Sequence, residues 1–295
     1  MKLYKTTISP TSNFATDLKG DTLFGQMCWA IRYKLGEDKL ISLLQDYDIN
    51  PFLVVSDGMA CGYLPKPNMP SSLLNENIDT KKQNRKNIWL TLEQLKKGEY
   101  TKAIDNKEAI NTEITSAIIH NSINYKTSTT GADGFDPHSQ VEYSLSQKDI
   151  YFLVDNRFNS KELSDVFELV SQIGYGKDAS TGKGRFIFDD LKEVNLDTKS
   201  KTFMAISPFI VHGIECEDIY YEPFTRFGKS GASRSNKNSF KKPIVLANSG
   251  AVINFRDEKP LQYIGQAIKN ISTYEDIVHQ GYSILIPIKE LENEK

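Results

Sequence analysis

The sequence predicts an α+β fold in two domains, and three observations carry that prediction. A strand-helix-strand alternation occurs twice along the chain. The strand-like segments are short and bounded by turn residues, which favours antiparallel sheets. At 295 residues the chain is longer than one small domain needs. The two passes divide it into residues 1–147 and 148–295. Hydrophobic residues at 39% and charged residues at 25% supply both cores and a wetted surface.

In MKLYKTTISP, Leu3, Tyr4 and Ile8 stand among lysines and threonines as a short strand that ends at Pro10. Leu23, Met27, Ala30, Ile31 and Leu35 then recur at spacings of three and four, one stripe of a helix. Asp21 or Thr22 can cap that helix and Gly36 can close it. The apolar run 52–55 is followed by SDGMACGYLPKP, where Asp57-Gly58 reads as a turn between two strands. Pro65, Pro67 and Pro70 force an extended exit. Residues 75–87 are polar surface, and TLEQLKKGEY is a short helix ending at Gly98. Residues 120–144, HNSINYKTSTTGADGFDPHSQVEYS, offer two ribbon arms around a long loop, and such a loop marks either function or disorder.

The pattern then restarts. DIYFLVD (149–155) is a strand, and Leu163, Val166, Phe167, Val170 and Ile173 form a helical stripe. A glycine-rich loop leads to a second strand in RFIFDDLKEV, and KTFMAISPFIV (201–211) and GYSILIPI (281–288) are further strands. Two such passes suggest a pair of ferredoxin-like units, the architecture of RNA-recognition (RRM-like) domains.

The loop GYGKDASTGKGRF (174–186) holds four glycines in thirteen residues. It is not a Walker phosphate loop: Gly176 and Gly182 are separated by five residues, Lys183 is followed by Gly184, and the loop runs from helix to strand. FTRFGKSGAS (224–233) imitates the end of a Walker loop at Gly228-Lys229-Ser230, but Pro223 stands where the first glycine belongs. What the glycine loop does offer is close backbone approach, successive N–H groups and the charges of Lys177, Lys183 and Arg185. Such a loop grips a phosphodiester backbone without reading bases. The simpler reading is a connector. In 224–242, Arg226, Lys229, Arg234, Lys237, Lys241 and Lys242 interleave with Phe224, Phe227 and Phe240, a mix suited to backbone contact and stacking or to a solvated basic loop.

Composition excludes several classes. A net charge of −2 gives no global field to gather a polyanion. Cys28, Cys61 and Cys216 contain no C-x-x-C pair, which disfavours a disulfide framework and zinc and fits a reducing compartment. No segment reads as a signal peptide or membrane span, so a cytoplasmic protein is expected. His120, His138, His212 and His279 have no metal-ligand spacing, and no metal or other cofactor is expected.

LKGDTLFGQMCW (18–29), SDGMACGYLPKP (56–67), the glycine loop, FTRFGKSGA and KKPIVLANSGAVI together resemble the repeat-associated mysterious protein (RAMP) superfamily of CRISPR systems. The resemblance is closest to its 5′-handle-binding branch, the fourth Csm subunit of the type III-A effector complex. It implies two ferredoxin-like domains with antiparallel sheets and a protruding β-hairpin thumb. It further implies a non-catalytic, RNA-binding role in antiviral defence, seating the 5′ handle of the crRNA. Implied partners are the crRNA, the large polymerase-like subunit, the adjacent backbone RAMP subunit and target RNA near the thumb.

Carried onto this chain, Gly174, Gly176, Lys177, Ser180, Thr181, Gly182, Lys183, Gly184 and Arg185 would hold handle phosphates, with Arg226 and Lys229 beside them. Lys19, Gly20, Asp21 and Thr22 would form an anion site at a helix N-terminus. The segment from about Asn121 to Gln140 would be the thumb, with Phe135 and His138 wedging or stacking on a base, or Phe135 simply packing on its own loop. The rival is a metal-independent endoribonuclease that matures the crRNA, with His120 or His138 as acid or base. Another is a protein-only module whose glycine loop docks a partner.

Overall fold

Alternation makes Lys2–Pro10 a strand, β1, whose Tyr4, Thr6 and Ile8 are all buried. The computed structural model describes residues 1–110, 113–131, 135–229, 240–274 and 277–291. The helical stripe becomes α1 (Gly20–Leu35), which buries Leu23, Met27, Ala30 and Ile31 and breaks at Gly36, φ 96°. The chain continues through α2 (Glu37–Leu44), β2 (Leu53–Val55) and β3 (Met59–Ala60). An insertion follows: β4 (Leu64–Pro65), α3 (Lys81–Asn84), β5 (Asn87–Leu90), α4 (Leu92–Lys97), β6 (Ile104–Asp105) and α5 (Asn106–Ala109). Gly98 ends α4 in the left-handed region, as the sequence predicts, and at its start Thr91 and Gln94 form a reciprocal capping box.

Next come β7 (Ile114–His120), β8 (His138–Ser144), β9 (Lys148–Val154), α6 (Ser160–Ile173), β10 (Phe186–Phe188) and β11 (Lys192–Glu193). The last part holds β12 (Lys199–Ala205), β13 (Asp218–Tyr220), β14 (Pro223–Arg226), β15 (Ile244–Ala247), β16 (Val252–Pro260), β17 (Tyr263–Gly265) and β18 (Tyr282–Pro287). Among the described residues no helix is long and apolar enough to cross a membrane.

The first sheet has the order β10-β1-β9-β2, with β11 also on β1 and β3 also on β9, all antiparallel. β1 and β9 pair from Lys2↔Val154 to Ile8↔Lys148. The expected division between residues 147 and 148 therefore falls between strands of one sheet. The two strand-helix-strand passes interleave because each alone offers only two short strands, too few to stand in water. Helices α1 and α6 pack together, and Phe167 of α6 meets Phe152 and Phe186 of the sheet at 5.1 and 5.2 Å.

Asp57-Gly58 is not a hairpin turn. β2 and β3 both pair with β9, so these residues interrupt a single edge strand. Gly58 fits there because a Cβ would sit 2.1 Å from the Leu18 side chain.

The second sheet has the order β13-β16-β12-β18-β17, and among the described residues no α-helix follows Ile173. The helix expected in the second pass is α6, and the sheet that follows it is antiparallel with two apolar faces. Along β12, Phe203 and Ala205 enter one core while Met204 enters the core that continues under the first sheet. β18 is buried at every position for the same reason. Gln280 closes the outer edge of β2: its side-chain amide accepts from the Val55 N–H at 2.8 Å and donates to the Val55 carbonyl at 2.9 Å.

Two ribbons stand apart from these sheets. β7 and β8 pair from Ile114↔Ser144 to His120↔His138, so the arms of the long hairpin are 114–120 and 138–144. Phe14 ties this ribbon to the body through two backbone bonds with Tyr143. β14 and β15 form the other ribbon, from Pro223↔Ala247 to Arg226↔Ile244.

Candidate nucleic-acid interface

The glycine loop is pinched shut at its base. The Tyr175 N–H donates to the Gly184 carbonyl at 2.8 Å, and a Cβ on Gly184, φ 71°, would lie 2.1 Å from the Tyr175 carbonyl oxygen. Most of its amides are then used by the fold. Lys177 donates to Thr16 Oγ1 at 2.9 Å, Gly184 to the Asn13 carbonyl at 2.8 Å and Arg185 to Ser12 Oγ at 2.9 Å. Thr181, Gly182 and Lys183 donate within the loop. The amides of Asp178, Ala179 and Ser180 have no partner among the described residues, and they open a short turn, Ala179–Thr181, whose first N–H groups are free. The side chains of Lys177 and Arg185 are exposed beside them.

A buried tyrosine fixes the loop's position. Tyr175 Oη accepts from the Lys19 N–H at 3.0 Å and donates to the Asp17 carbonyl at 2.7 Å. Burial pushes this hydroxyl's pKa far above its ordinary value. The loop and the lead into α1 thus form one rigid unit.

The start of α1 differs from its prediction. Lys19 occupies the N-cap position and makes no side-chain cap, so Asp21 and Thr22 are not caps. The N-terminal anion position is filled from within: the Gly20 N–H donates to Asp57 Oδ1 at 2.8 Å. Lys19 Nζ lies 2.8 Å from Asp57 Oδ2 and 3.2 Å from Asn248 Oδ1. Asp21 is buried and takes both arms of Arg226 at 2.6 Å, with His279 Nε2 at 3.2 Å. Burial pushes the Asp21 carboxyl up, but His279 and Arg226 outweigh it and hold it well below the usual carboxylate range. Lys19, Gly20, Asp21 and Arg226 therefore tie the start of α1 to the edge of the first sheet and to the β14–β15 ribbon; of this first turn, Thr22 stays partly exposed.

The loop is also tied to the β7–β8 ribbon. Lys183 Nζ lies 2.6 Å from Glu142 Oε1, Asn13 donates to Glu142 Oε2 at 3.0 Å, and Gln140 donates to Asp178 Oδ2. Lys183 and Asn13 hold the Glu142 carboxyl below its ordinary range. His138 stacks on His120 with ring centroids 5.8 Å apart. Phe135 is half-buried, its carbonyl accepting from the Gly131 N–H at 3.0 Å.

On the second ribbon, Lys229 is exposed and its Nζ sits 4.3 Å from the centre of the exposed Phe240 ring. Arg234 and Lys237 lie outside the described residues. The geometry thus leaves a smaller outward set than the sequence suggests: the amides 178–180, Ser180, Thr181, Lys177, Arg185, Lys229 and Lys242. Sequence reasoning missed Asp57, Glu142, Tyr175, Asn248 and His279, whose partners are all far away in the chain. Among the described residues no group of three metal-ligating side chains converges.

No family model matches the sequence, and no curated protein matches it. Solved structures do share the fold. A chain of the Csm1-Csm4 cassette in complex with AMPPNP aligns with TM-score 0.61 at 13% identity, over 99% of this chain and 100% of that one. The cassette in complex with cA4 aligns with TM-score 0.62 at 12% identity, over 99% and 100%. A chain of the Csm3-Csm4 subcomplex in the type III-A CRISPR-Cas interference complex aligns with TM-score 0.60 at 14% identity, over 97% and 99%.

Proposed function

We propose that this chain is a Csm4-type RAMP subunit of a type III-A CRISPR effector complex, serving antiviral defence as a non-catalytic RNA-binding scaffold. One observation carries the reading. The same fold, over nearly full length, occurs in a Csm1-Csm4 structure and in a Csm3-Csm4 structure, and Csm4 is the component the two have in common. The partners follow: a large Csm1-type subunit, a Csm3-type backbone subunit and the crRNA. In this reading the first sheet with α1 and α6 is a ferredoxin-like unit, and the β7–β8 ribbon is the thumb, bringing Phe135 and His138 towards target RNA.

The glycine loop is the seat of the crRNA 5′ handle. Three adjacent free amides with Lys177 and Arg185 suit one or two phosphates, and Lys229 beside exposed Phe240 extends the contact. The test is to assemble the complex with wild-type chain and with Lys177→Ala/Arg185→Ala, and to compare crosslinking to the handle. Both side chains are exposed, so the fold is kept. Loss of handle crosslinks at equal assembly is expected; unchanged crosslinks overturn the loop's role.

The stacked His120 and His138, near Glu142 and Lys183, favour a second reading as an endoribonuclease that matures the crRNA. Cleavage of repeat RNA by the purified chain, lost in His120→Ala, would establish it in place of the scaffold.

A further inference from the structure

The insertion between β4 and β7, plain polar surface by sequence, encloses a cleft of about 220 Å³ between its short strands and the turn before α3. Its walls are amides and hydroxyls, from Asn75, Asn77, Asn84, Asn87, Tyr100 and Thr101. One carboxylate, Glu76, is present, but Lys66 Nζ lies 2.8 Å from it and Ser71 donates to it at 3.1 Å, so the cleft is neutral.

The hydrogen bonds already made decide what is left over. Asn84 donates to the Asn77 carbonyl at 2.9 Å and accepts from Thr80 at 3.1 Å. Asn87 Oδ1 accepts from Gln83 at 2.9 Å and Asn77 Oδ1 from the Asp79 N–H at 3.0 Å, which leaves the Nδ2 donors of both residues free. The Tyr100 hydroxyl is an independent sign. The residue is 4% exposed, and its Oη is buried without a partner. Buried hydroxyls in folded proteins are nearly always satisfied, and an unpaired one on a residue that lines a cleft calls for an acceptor.

Among the residues that line the cleft the surplus is therefore of donors, and none of them is a cation. That argues against phosphate, and the polar walls argue against an apolar guest. The volume lies below the range of about 300–1,000 Å³ typical of drug-sized ligands, which suits one flat heterocycle. We propose that this cleft binds a single neutral nucleobase through carbonyl acceptors, as uracil or guanine presents them, apart from the glycine loop and independently of its role.

The test is calorimetric titration of the full chain with uridine, guanosine, adenosine and inorganic phosphate, with hexauridine as the strand-borne form. Uridine or guanosine should saturate one site, adenosine bind more weakly and phosphate fail to compete. Tyr100→Phe, which keeps the ring, and Asn87→Ala should each weaken binding by about tenfold. Hexauridine binding at least as tightly as uridine, with the same sensitivity to Tyr100→Phe, assigns the site to an RNA strand; weaker binding assigns it to a free nucleoside. The proposal is overturned by the absence of saturable binding, by full-strength binding to both variants, or by displacement with phosphate.

Discussion

Lys183 of the glycine loop and Glu142 of the β7–β8 ribbon form an ion pair of 2.6 Å in which the carboxylate is wholly shielded by the protein. A lysine that the sequence offers as a phosphate ligand is thereby a brace between loop and ribbon. Lys183→Ala should lower the thermal midpoint by roughly 3–6 °C, since it strands Glu142. Lys183→Ala/Glu142→Gln should recover part of the loss, read by calorimetric melting. A single variant that melts like wild type would show that the brace carries no load.

Arg226 behaves likewise at the seam where the β14–β15 ribbon meets α1. Arg226→Ala leaves Asp21 buried and unpaired and should cost about 3–5 kcal/mol in urea unfolding. Arg226→Lys keeps the charge but loses the two-armed geometry and should fall between.

Acid should loosen the same seam. In the folded chain Asp21 is held below the ordinary aspartate value of 3.8, so its stabilisation is complete above about pH 5 and is lost as pH falls through and below 4. Urea midpoints measured from pH 7 to pH 3 should fall at the acid end. They should fall less in Asp21→Asn, which has no proton to take up there.

Tyr175→Phe removes only the hydroxyl that bridges the Lys19 N–H and the Asp17 carbonyl. A loss of about 1–3 kcal/mol is expected. Hydrogen exchange should accelerate at Lys19 and across 177–184 while the amides of β9 stay protected.

What the sequence shows and what it hides divide along physical lines. Short-range periodicity is local, so the helix stripes at Leu23–Leu35 and Leu163–Ile173, the helix end at Gly98 and the strand ending at Pro10 are all legible. Pairing partners are not local. Asp57-Gly58 carries the composition of a hairpin turn, yet β9 captures both flanking strands. The glycine loop is legible as a loop, but the bonds from Thr16, Asn13 and Ser12 that consume its amides come from some 160 residues upstream. Asp21 looks like a cap because a cap needs only neighbours, whereas its true partners are Arg226 and His279.

The interleaved first sheet bears on how the chain is made. β1 leaves the ribosome well before its neighbours on either side, β9 and β10, which begin at Lys148 and Phe186. Until those strands are made β1 has no edge of this sheet to join, so a fragment of residues 1–147 should be unfolded and prone to capture by chaperones. Closure of the first sheet is therefore a late event in synthesis, because its longest pairing joins Lys2–Ile8 to Lys148–Val154.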